Sequence, residues 1–151
     1  MSDLSRSSPV PFFERLCSQE GGFGDAASFD AAGLQTSIAR ELAQLFNTRC
    51  NSTIDEFMNC LGTVLDYGVP DFSALSSRSP SDLLRLSQAV KHSINMFEPR
   101  MAHAEVTASM DPVHNGRAQL QIAGAVRLGL VLRRVDFTMP LSLSDGASGS
   151  I

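Results

Sequence analysis

The feature that most constrains this chain is a change of period at Phe97-Glu98-Pro99-Arg100. Upstream, Leu83, Leu86, Val90, Ile94 and Phe97 recur at helical spacing. Downstream, Ala102, Ala104, Val106 and Ala108 alternate with His103, Glu105, Thr107 and Ser109, as on the two faces of a strand. Pro99 stands between the two patterns. It pushes Glu98 out of helical geometry and has no N–H to donate, so the helix must end and the chain must turn there. The turn sets a carboxylate and a guanidinium on either side of one bend. Two roles fit that arrangement. Glu98 and Arg100 can pair with each other, which at an exposed site contributes only about 0–1 kcal/mol. Alternatively, the planar fork of Arg100 can read a carboxylate on another molecule.

The helical half has two further parts. Leu34, Ile38, Leu42, Leu45 and Phe46 form one apolar face, and Asn47-Thr48-Arg49 with Asn51-Ser52-Thr53 then offers side chains that compete for backbone hydrogen bonds, which stops the helix near 46–47. A weaker apolar segment, Ile54, Phe57, Met58, Leu61, Val64 and Leu65, reads either as one helix broken near Gly62 or as a short helix followed by an extended piece. Asp66-Tyr67-Gly68-Val69-Pro70-Asp71-Phe72 reads as an ordered loop. Ser79-Pro80-Ser81-Asp82 is a helix start, with a capping serine, proline in the first position and a favourable carboxylate in the first turn.

In the alternating half, a turn at 111–116 leads into a second strand carrying Ala118, Leu120, Ile122 and Val126. A third strand over 131–139 puts Val131, Val135 and Phe137 on one face. Helices followed by strands, with no crossover helix between the strands, predict an α+β fold: one domain of amphipathic helices and a three-stranded antiparallel meander over 34–141. Residues 1–33 read as an N-terminal segment and flexible linker, with a short apolar burst at 10–16 and a Gly-rich stretch at 18–33. Residues 142–151 read as a disordered tail.

Composition narrows the function. The 151 residues suffice for a self-supporting core. The net charge of −4, with basic residues scattered, argues against a nucleic-acid partner. Lys91 is the only lysine among twelve basic residues, a skew that fits protein interfaces and equally a codon bias. Cys17, Cys50 and Cys60 lack metal-ligand spacing, and no apolar run reaches membrane-spanning length, so a cytoplasmic protein with no cofactor and no membrane insertion is expected. His92, His103 and His114 fall on a helix, a strand and a turn, which makes a catalytic or metal cluster improbable. Glu41 and Glu98 could form a glycosidase-like carboxylate pair, but a chain with no tryptophan and one tyrosine is poorly equipped to stack sugars.

The order of motifs resembles one family. Leu45-Phe46-Asn47-Thr48-Arg49, then Val64-Leu65-Asp66-Tyr67-Gly68-Val69-Pro70-Asp71, then Phe97-Glu98-Pro99-Arg100, then Val135-Asp136-Phe137-Thr138, together with Phe12-Phe13-Glu14-Arg15-Leu16 near the start, is similar to TssE. These are type VI secretion baseplate subunits, themselves similar to a lysozyme-like wedge protein of contractile-phage baseplates. The resemblance spans roughly 12–141. It departs at Cys50-Asn51, where the family has a basic residue and a glycine, and in the long Gly-rich linker. It implies a non-enzymatic structural subunit in the cytoplasm, at a membrane-docked baseplate, contacting TssF, TssG and TssK and seeding the TssB/TssC sheath through an exposed strand edge. The partner-binding residues it implies are Glu98, Pro99, Arg100, Asn47, Arg49, Tyr67, Gly68, Pro70 and Asp71. The alternatives are a peptidoglycan hydrolase with Glu98 as general acid, or an unrelated strand-binding adaptor.

Overall fold

Helix α1 (Ala31–Asn47) forms around the expected apolar row, burying Leu34, Ile38, Leu42, Leu45 and Phe46. It begins at Ala31, inside the stretch read as linker. It ends where the Thr48 hydroxyl donates to the Gln44 carbonyl at 2.9 Å, the side-chain competition expected of this segment. The computed structural model describes residues 8–9, 28–29, 31–111, 113, 117–128 and 131–142. Within the first 30 residues, only the antiparallel pairing of β1 (Ser8–Pro9) with β2 (Ser28–Phe29) is described. The expected burst at 10–16 and the tail beyond 142 lie outside the described residues.

After α1 the chain departs from an all-helical reading. Strand β3 (Arg49–Thr53) pairs in parallel with β4 (Val69–Asp71), so the segment read as a loop at 66–72 carries a strand in its second half. Three residues are too few for alternation to show in sequence. Between β3 and β4 lies α2 (Ile54–Phe57), one turn opened by a capping box in which Thr53 and Glu56 bond each other's backbone N–H. Of the two readings of the 54–65 segment, the short helix holds, but it is followed by a turn, a loop and a 3₁₀ turn in place of the expected extended piece. Ile54 and Phe57 are buried, and a single 3₁₀ turn follows at Val64–Asp66.

Helix α3 (Pro80–Phe97) starts as its sequence dictates. The Ser79 hydroxyl accepts the Asp82 N–H, Pro80 occupies the first position, and the Asp82 carboxylate also accepts the Ser76 N–H at 3.0 Å. It buries Leu86, Ala89, Val90, Ser93 and Ile94.

Strands β5 (Met101–Met110), β6 (Arg117–Leu128) and β7 (Val131–Ser142) form the antiparallel meander in the order β5-β6-β7. The even alternation expected in β5 fails at its start. His103 adopts φ +53 and the register with β6 shifts between Ala102 and Glu105, so that Met101 and Ala104 are buried while Ala102 is only half-buried. A bulge inserts one residue and reverses which side chains face inward before it. Strand β7 runs past the expected 139 and buries Leu141. One apolar cluster joins α1, α3, β4 and the inner face of the meander, giving a single-domain α+β fold.

Candidate functional site

The helix-to-strand corner is built by α3 and closed by α1. The Glu98 N–H still donates to the Ile94 carbonyl at 2.8 Å, and the Met101 N–H donates to the Glu98 carbonyl at 3.1 Å, so the backbone on either side of Pro99 is fixed. The Glu98 carboxylate accepts from Arg100 Nε at 2.7 Å and from Nη2 at 2.6 Å, and one oxygen also accepts the Arg100 N–H at 3.2 Å. Arg100 Nη1 reaches across to the Ser37 hydroxyl of α1 at 2.9 Å. Glu98 is 3% exposed, and Arg100 is partly buried. Of the two roles open to the pair, mutual pairing is realised, and away from solvent. A buried bidentate pair of this kind specifies geometry, because losing either member strands the other charge.

The other two motifs fold onto the same corner. The ring of Tyr67 meets Phe97 edge-on, with centroids 5.3 Å apart. Burial pushes its hydroxyl pKa up, and the carboxylates of Glu41 and Glu98 push it further in the same direction. Gly68, at φ +120, lets the backbone pass so close to the Thr48 carbonyl that a Cβ would sit 2.5 Å from that oxygen. The same carbonyl accepts the Val69 N–H at 3.0 Å, and the Gly68 carbonyl accepts the buried Ser93 hydroxyl at 2.6 Å. Arg49 donates to the Phe46 carbonyl at 2.6 Å and lies 4.1 Å over the Phe72 ring. Asp71 accepts from the Ser73 N–H and hydroxyl; these bonds, and behind them the charge of Arg49, hold its carboxyl below the usual value.

Three motifs spread over about fifty residues are thus linked by contacts, Thr48 with Val69, Tyr67 with Phe97, and Arg100 with Ser37 in the first half of α1. Asn47, Arg49, Asp71 and Pro99 are exposed; Gly68, Pro70 and Glu98 are buried; Tyr67 and Arg100 lie between. Two contributors escaped the sequence reading. Ser37 and Ser93 anchor Arg100 and Gly68, and both sit three residues after an apolar-stripe residue, Leu34 and Val90. A serine inside a buried stripe was the available signal. Chemically the corner offers little to a reaction, since both oxygens of Glu98 are engaged and shielded. Among the described residues, no group of three or more His, Cys, Asp or Glu side chains is placed to hold a metal ion.

Residues 32–129 match the family model described as baseplate wedge protein gp25, a span that takes in all three motifs and most of the domain. This chain belongs to the gp25 baseplate wedge family. Two solved structures share this fold. One is a chain of the baseplate complex from the type VI secretion system, with a TM-score of 0.52 at 19% identity, covering 72% of this chain and 94% of that one. The other is described as a tail lysozyme from Geobacter sulfurreducens, with a TM-score of 0.54 at 21% identity, covering 81% of this chain and all of that one. At such identities the likeness is one of fold. No curated protein matches.

Proposed function

We propose that this wedge-family chain is a TssE-type structural subunit of a type VI secretion baseplate, without enzymatic activity. The observation that carries this reading is the family match over 32–129. The partners proposed are TssF, TssG and TssK in the wedge, and the first ring of TssB/TssC sheath. The sheath contact is strand addition at the meander, where β5 and β7 are the outer strands among the described residues. The corner contributes in two layers. Asn47, Arg49, Asp71 and Pro99 meet a partner directly. Glu98, Arg100, Tyr67, Gly68 and Pro70 hold the shape of that surface.

The proposed location is the cytoplasmic side of a membrane-docked baseplate; among the described residues no helix is long and apolar enough to cross a membrane. Buried, doubly bonded Glu98 is a poor general acid, which weighs against a hydrolase. The test is affinity recovery of the tagged chain from its native cytoplasm, with partners identified by mass spectrometry. Wedge and sheath proteins should accompany the wild type and be depleted with Asn47→Ala/Arg49→Ala/Asp71→Ala. Clearing of peptidoglycan by the purified chain, abolished in Glu98→Gln, would overturn the structural reading.

A further inference from the structure

The loop between α2 and β4 carries the densest exposed apolar surface among the described residues. Leu61 is 95% exposed, Val64 91% and Leu65 89%, with Met58 beside them also exposed. Other large exposed apolar side chains, Leu84 on α3, Met110 on β5, Val113 between β5 and β6, and Leu132 on β7, stand apart from one another in sequence. Single exposed aliphatics are ordinary, but three within five residues are not.

This loop is built to hold its shape. The Thr53/Glu56 box fixes the helix before it, Asn59 Nδ2 donates to the Asp55 carbonyl at 2.8 Å, and Cys60 Sγ packs 3.9 Å from Met96 Sδ of α3. Gly62, at φ +73, turns against Met96, and the Asp66 carboxylate accepts the N–H and hydroxyl of Thr63, both at 2.8 Å. A partner therefore meets a preorganised surface, and little ordering entropy opposes binding.

Two quantities select the occupant. Three aliphatic side chains present on the order of 300 Å² of apolar surface, well below the roughly 800 Å² per partner of a standard interface. The loop is thus an anchor within a larger contact, too small to be a self-sufficient dimer face. Acidic residues flank it in sequence: Asp55 pairs with Arg85 at 3.0 Å, whereas Glu56 and Asp66 are bonded by threonine groups and have no ion-pair partner among the described residues. Hydrogen bonds from Thr53 hold the Glu56 carboxyl below its usual value.

We propose that residues 58–66 form a docking knob that inserts Leu61, Val64 and Leu65 into an apolar groove rimmed by lysine or arginine on a neighbouring, different subunit of the assembly. This rests on the baseplate reading above and adds a second contact surface to it. The experiment places a photo-cross-linking amino acid at position 64 of the full-length chain in the producing cells and maps the products residue by residue. The expected product joins position 64 to one other subunit, at apolar residues within a few positions of lysine or arginine. Its yield should fall about a hundredfold with Leu61→Ser/Leu65→Ser, since each buried aliphatic anchor lost corresponds to at least about tenfold. It should also fall with Glu56→Gln/Asp66→Asn, which removes charge and keeps hydrogen-bonding groups. Cross-links to a second copy, to the chain's own N-terminal residues or to a surface without basic residues overturn the proposal, as does an undiminished yield in either variant. If the wild type is recovered in baseplates without a cross-link, only the knob fails; if it is recovered in none, the baseplate reading fails with it.

Discussion

At the Glu98/Arg100 corner, charged side chains lie inside and are satisfied by one another and by Ser37; on the 58–66 loop, aliphatic side chains lie outside and touch no core. The two regions are comparably well tied down, yet they resolve the cost of burial in opposite ways. A buried carboxylate is tolerated when a bidentate guanidinium and further donors surround it. An exposed aliphatic cluster is tolerated in the free chain because it costs only hydration, and that cost is recovered when a partner covers it. The charged motif that suggests recognition is thus turned mostly inward, and the unremarkable apolar stretch is turned outward. Motif content alone does not say which surface is available.

Removing one member of the buried pair should break this contrast most severely. Arg100→Ala leaves Glu98 buried without its cation and should cost about 3–5 kcal/mol in urea unfolding. Adding Glu98→Gln should restore much of it. If Arg100→Ala unfolds like the wild type, the corner is not the internal fastening described. Next in size, Ser93→Ala leaves the Gly68 carbonyl without its buried donor and should cost about 1–3 kcal/mol. An unchanged midpoint would mean that the approach of β4 to α3 does not depend on this bond.

Tyr67 sharpens the comparison through pH. Its folded pKa is raised, so the neutral phenol is favoured by folding. That stability is fully present below the unfolded value of about 10 and is lost as pH rises through the folded value. Thermal melts above pH 10 should therefore fall more steeply for the wild type than for Tyr67→Phe. Smallest of all, Leu61→Ser/Val64→Ser/Leu65→Ser should change unfolding free energy by no more than about 0.5 kcal/mol, because these side chains bury nothing in the free chain. A larger loss would place them in a contact within the domain.

Much of the fold follows from local chemistry that sequence displays. The apolar rows of α1 and α3, the Ser79-Pro80 start and the Pro99 stop are decided within a few residues, by spacing, capping and the missing N–H. So is the change to period two that produces the meander. Family-like motif order was also visible, and the match over 32–129 agrees with it. Non-local pairing was not visible. The parallel β3/β4 pair joins residues nearly twenty positions apart and hangs on Gly68 passing the Thr48 carbonyl, which neither segment reveals alone. The bulge at His103 likewise depends on β6, whose register decides that Met101 points inward.

The corner divides the same way. Sequence determined that a carboxylate and a guanidinium would flank a fixed turn, because proline allows nothing else there. Only the tertiary structure decided that α1 would close over them with Ser37 and remove Glu98 from solvent. Burial is a property of what packs on a residue from elsewhere in the chain, and the same holds for Leu61, Val64 and Leu65. Their hydrophobicity was written in the sequence, but no other segment among the described residues covers them.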